Sequence, residues 1–91
     1  VARLLVEGEL TLVRQEVARG ALGAGAWRRD ARRWPSAARL RELELVATVG
    51  AADGDGLVEV AVDARWRAGA SLEDGRRTVR LEALVRGERT P

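Results

Sequence analysis

The chain has 91 residues with 46% apolar content, enough for one small domain with a modest buried fraction and too little for a second. Its net charge is only +2 although the pI is near 10.8, because all sixteen basic residues are Arg and there is no His, Cys, Lys or Tyr to titrate between carboxylates and guanidinium groups. The missing residue types exclude disulfides, thiolate or imidazole metal sites, His-based nucleophile triads and a lysine-bearing phosphate loop, so a non-enzyme is expected.

The first element is an amphipathic helix over residues 1–21. Ala2, Val6, Leu10, Val13 and Val17 recur at helical spacing, Leu5 and Leu12 widen the stripe, and Arg3, Glu7, Arg14 and Arg19 fall largely elsewhere. Gly20, Gly23 and Gly25 supply a stop, whereas no Ser, Thr, Asp or Asn caps the start. A helix with a stop and no start reads as the lower part of a longer one.

Residues 22–38 form a connector with one or two helical turns, ended by Pro35. Its core, Trp27-Arg-Arg-Asp-Ala-Arg-Arg-Trp34, sets Arg28, Arg29, Arg32 and Arg33 between two indoles. Guanidinium groups neutralise phosphates and indoles stack on unpaired bases, so a nucleic-acid module is one reading. The other is a segment anchored by its Trp side chains, with Arg groups solvated or paired to the acidic stretch that follows.

Residues 39–86 read as an antiparallel meander, and residues 87–91 as a tail. Strands are expected over 39–49, 57–67 and 76–86, separated by the turn Asp53-Gly-Asp-Gly56 and a loop over 68–75. Alternation assigns Leu43, Leu45, Ala47, Val49, Val58, Val60, Val62, Ala64, Trp66, Val79, Leu81, Ala83 and Val85 to one face. Glu42, Glu44, Glu59, Asp63, Arg65, Arg80 and Glu82 fall on the other, suited to cross-strand pairing in water. The apolar face needs a cover and the helix stripe supplies it. The expected fold is therefore α+β: an N-terminal helix on one face of an antiparallel sheet of three or four strands. With no Phe, Tyr, Ile or Met, the three Trp are expected to supply the large packing surfaces.

Asp53 and Asp55 make a weak calcium candidate, because close carboxylates with glycine freedom suit oxygen ligation; the downstream bidentate glutamate is lacking, and Asp-Gly is an ordinary hairpin turn. No cofactor is implied. Charge is uneven: residues 28–41 hold six Arg and one Asp, and residues 42–75 hold eight acids and two Arg. Such polarity favours oriented protein contacts.

The order of elements, with the Val-rich strand 58–66 ending in Trp66 and the Arg-Val-x-Leu strand from Arg77 to Val85, resembles the soluble domain of a type IV pilin-like protein, most of all a minor pseudopilin of the bacterial type II secretion system. The likeness covers the whole chain in layout and residues 57–86 in motif. It implies a missing apolar helix upstream that anchors the chain in the inner membrane, a periplasmic domain, and assembly with other pseudopilin or pilin subunits in a filament. Partner contacts are then expected from Leu5, Leu12, Trp27, Arg28, Arg29, Arg32, Arg33 and Trp34. The alternatives are a nucleic-acid-binding module, or a DNA-binding minor pilin, using the Arg and Trp connector, and a generic oligomerising adaptor.

Overall fold

A computed structural model of the protein describes residues 2–67 and 76–86. Helix α1 runs over Ala2–Ala18 and is followed by strand β1 (Gly25–Arg28), two short 3-10 helices (Ala31–Arg33 and Pro35–Arg39), and strands β2 (Arg41–Val49), β3 (Leu57–Arg67) and β4 (Arg76–Arg86). The four strands form one antiparallel sheet in the order β1-β2-β3-β4. This is the expected α+β layout, with the fourth strand taken from the connector. The start of the helix at Val1, the 68–75 loop and the 87–91 tail lie outside the described residues.

α1 stops where the glycines fall. Gly20 takes a φ of 75°, and the Gly20 and Ala21 N–H groups donate to the carbonyls of Val17 and Glu16, the paired bonds of a Schellman cap. The helix is thus three residues shorter than the stripe alone implied, because the cap consumes residues 19–21.

The connector departs furthest from expectation. β1 pairs Gly25 with Val49 and Arg28 with Val46. Its four residues are all exposed and carry no apolar alternation, so pairing with β2 rather than pattern makes it a strand. Pro35 opens the second 3-10 helix instead of ending a first, since a first-turn position needs no N–H and suits proline's fixed φ. β2 consequently begins at Arg41, two residues later than expected. Its first turn of ladder contains a bulge: Arg41 pairs with Arg67 and Glu44 with Arg65, which leaves Glu42 and Leu43 opposite Trp66. Glu42 takes up the extra residue at a φ of 51° and so keeps Leu43 on the buried face.

Leu45, Ala47, Val49, Val58, Val60, Val62, Ala64 and Val85 pack against Leu5, Val6, Val13 and Val17 of α1. α1 lies over β3 and β4, while the connector packs beside it over β2. Two separate pieces therefore cover one sheet face. The large fully buried apolar groups are Leu5, Leu45, Val6, Val13, Val60 and Val62; Trp34 and Trp66 are only half-buried and Trp27 is 40% exposed. Close approach of helix and sheet leaves room for Val and Leu and sets the indoles at the rim, where Trp34 and Trp66 pack against the core and Trp27 stays at the surface.

The opposite sheet face is charged, and no helix or strand among the described residues lies over it. Asp63 and Arg80 face each other across β3 and β4 with a 2.7 Å bond, and Glu82 accepts from Arg80 at 2.9 Å. The bond to Glu82, the Asp63 charge and their companions hold the Arg80 guanidinium above its ordinary value.

Candidate functional site: the connector on helix α1

The connector is fastened to α1 by a buried charge network whose centre is Glu9. Glu9 stands three residues after Val6 and four before Val13, on the apolar stripe, and is wholly buried. A carboxylate there costs several kcal/mol unless it is paired and hydrogen-bonded. It is both. Oε2 accepts from Arg29 Nε at 3.0 Å, Oε1 accepts from the indole Nε1 of Trp34 at 2.9 Å, and Arg33 Nε lies 3.7 Å from Oε1.

Arg29 reaches Glu9 because β1 aims it there. Its N–H donates to the Leu45 carbonyl at 2.7 Å, extending the β1–β2 ladder by one residue. Alternation then turns Arg28 outward, where it lies 3.7 Å from Glu44, and Arg29 inward beneath α1. A second arm of the Arg29 guanidinium donates to Glu16, one heptad along α1 from Glu9. Burial works against the Arg29 charge, but its hydrogen bonds to Glu16 and Glu9 and their negative charges outweigh it and hold the group above its ordinary value. Two acids and two Arg balance in the network, and no buried side-chain nitrogen or oxygen among the described residues lacks a partner.

Trp34 also fits a notch in α1. A Cβ added at Gly8 would lie 2.5 Å from Cη2 and 2.8 Å from Cζ3 of its ring. Glycine inside a helix costs about 1 kcal/mol relative to alanine. Here it opens the space in which the indole meets Glu9.

The remaining candidates divide sharply. Leu5 is 2% exposed in the core, which removes it from any partner surface. Leu12 is half-buried. Trp27 is exposed at the sheet margin, where its Nε1 donates to the Gly23 carbonyl at 2.8 Å. Arg32 and Arg33 stand on the first 3-10 helix; Arg32 folds back on Asp30, whose carboxylate also caps that helix by accepting from the Arg32 N–H. The Arg32 side chain, then its backbone N–H, hold the Asp30 carboxyl below its usual range. Trp27, Arg28, Arg32 and Arg33 thus remain at the surface, while Arg29 and Trp34 are turned inward. A nucleic acid could reach those two only by opening the network, so the base-stacking arrangement is not formed.

The Asp53 carboxylate is committed to its own turn: Oδ1 accepts from the N–H groups of Asp55 and Leu57 at 2.8 and 2.9 Å. Those bonds explain the Asp-Gly-Asp-Gly spacing without an ion. Among the described residues no group of three or more acids gathers as a metal site.

Glu9, Glu16 and Gly8 went unremarked in the sequence, although a carboxylate inside the apolar stripe and a glycine beside it were visible signals. Comparison with known proteins adds no identity: no family model, no curated protein and no solved structure matches the chain.

Proposed function

We propose that the chain is a structural subunit of a pilin-like filament, of the minor pseudopilin type of bacterial type II secretion, acting through protein–protein assembly. The observation that carries this reading is the layout: one helix, a connector strapped to it, and an antiparallel meander that gives the helix one face and, among the described residues, leaves the other open. That is the order of elements the resemblance calls for. On this reading the domain stands on the periplasmic side of the inner membrane and later on the filament surface. Among the described residues no helix is long and apolar enough to cross a membrane. The connector's exposed Trp27, Arg28, Arg32 and Arg33 are offered to neighbouring subunits, with the half-buried Leu12 of α1 as a lesser contact.

The test is made in the bacterium with the whole coding sequence. Codons directly upstream of Val1 should specify an apolar run behind a short basic leader with a cleavage site. A photo-crosslinking residue at Arg32 should join the chain to other pilin-like subunits. Polar upstream codons, another folded domain there, or crosslinks only to unrelated proteins would overturn the proposal.

A further inference from the structure

β4 closes the sheet on the side away from β1, and among the described residues no backbone group bonds its outer edge. The strand is 11 residues long and its register with β3 runs unbroken from Leu57 opposite Arg86 to Arg67 opposite Arg76. It contains neither a proline nor a bulge, two of the usual ways of blunting an edge. A long regular edge is a template for a further strand.

The surroundings of this edge suit a side-chain register as well. α1 runs alongside, and between Thr11, Arg14, Gln15 and Ala18 of the helix and Val85 of β4 lies a mostly apolar groove of about 380 Å³. Leu84, 59% exposed, stands on β4 itself; Leu4, 71% exposed, shares a helix row with Thr11 and Ala18. Two of the three large apolar side chains exposed among the described residues thus flank one edge.

Charge decides what should lie there. The acids along the edge are already engaged, Glu82 with Arg80 and Glu7 with Arg3. Arg14, Arg77 and Arg86 are exposed and pair with no carboxylate among the described residues. A second copy docked edge to edge would set this arginine-rich strand against its own kind, which is unfavourable. We infer that the β4 edge and the α1 groove take an extended acidic segment of a partner protein as an added strand. Its apolar residues, on the helix side, cover the groove floor at Ala18 and Val85, and its alternate carboxylates, on the open side beside Leu84, meet Arg86, while Arg14 and Arg77 add positive charge on the helix side.

The inference shares with the filament reading only the premise that the domain works by protein contact. A chain that builds no filament can still take the strand, and a filament subunit can fail to. The probe is a fluorescent peptide of about ten residues, near the upper end of common strand lengths, with Glu alternating with Val. The control carries Lys in place of Glu. At low salt the acidic peptide should bind the 91-residue chain and the basic one should not, and binding should fall as salt rises. Hydrogen exchange should slow at alternate amides of 76–86 and stay unchanged in β1. Arg86→Glu and Leu84→Asp, both at exposed positions on the open side that leave the core intact, should each weaken binding about tenfold. No binding, equal binding of both peptides, or protection at β1 would overturn the inference. So would a peptide-free chain that dimerises with its β4 amides protected.

Discussion

The two covers on the sheet's buried face are held by different physics. α1 sits over β3 and β4 through Leu5, Val6, Val13 and Val17, a non-directional contact set that many apolar sequences could replace. The connector is held to α1 over β2 by Arg29 and Trp34 meeting Glu9, where each hydrogen bond joins a particular donor to a particular oxygen in a fixed geometry. The first arrangement supplies stability in bulk. The second selects which of several connector paths is taken, because only Arg29 among the neighbouring Arg residues is turned inward by β1. Glu9 is where the two meet: it lies on the helix's apolar stripe and is the anchor of the connector.

Breaking the directional cover should have the largest effect. Arg29→Met leaves Glu9 buried without its main counter-charge and should cost about 3–5 kcal/mol, a large share of the stability of a domain this size. Pairing it with Glu9→Leu should recover part of that loss, since replacing both charges removes the burial penalty; urea titrations of the four proteins of the cycle measure the coupling. Failure of the double variant to recover any stability would mean the charges do not act as a unit.

Breaking the apolar cover should cost a similar or slightly smaller amount by another route. Leu45→Ala, at a position 1% exposed, opens a cavity under α1 and should cost about 2–5 kcal/mol. The indole fluorescence of Trp34 should keep its folded-state position up to the global transition, because the Glu9 network is left intact.

Gly8→Ala sharpens the comparison, since its sign depends on which cover is present. Helix propensity favours alanine by about 1 kcal/mol, but its Cβ would strike the Trp34 ring, and moving the ring breaks the indole bond to Glu9. The substitution should destabilise the native chain and stabilise a Trp34→Ala background by about 1 kcal/mol in thermal melts. The same sign in both would remove the notch from the account.

The smallest effect concerns the connector's surface. Asp30 is held below its ordinary value of 3.8, so its contribution is present above that pH and is lost as pH falls through the lower, folded-state value. Asp30→Asn should therefore narrow the stability difference between neutral and strongly acidic solution slightly, as read by melts across pH, with no change of slope near neutrality.

These two regions also differ in how far the sequence disclosed them. β3 and β4 were found to the residue, because strict alternation from Val58 to Trp66 and from Arg77 to Val85 has only one strand reading. β1 was not, because Gly-Ala-Trp-Arg has no alternation of its own and becomes a strand only against Val46 to Val49. Glu9 could have been found from its place between Val6 and Val13. Its partner could not: Arg29 is distinguished from Arg28 only by the alternation of a strand that the sequence conceals. The sequence alone gives Trp34 and Trp27 the same two roles, anchor or stacking platform, and the difference between them lies in Gly8, on a turn of helix far away in sequence.

The central claim is that Glu9 fastens the connector to α1, and the indole N–H groups of Trp34 and Trp27 report on it most directly. Their hydrogen exchange, resolved by NMR in the native chain and in Arg29→Met, compares a bond to a buried carboxylate with one to an exposed carbonyl. The account predicts that Trp34 exchanges far more slowly than Trp27 in the native chain and speeds up in the variant, while Trp27 stays as it was. Equal exchange at the two indoles in the native chain would contradict it.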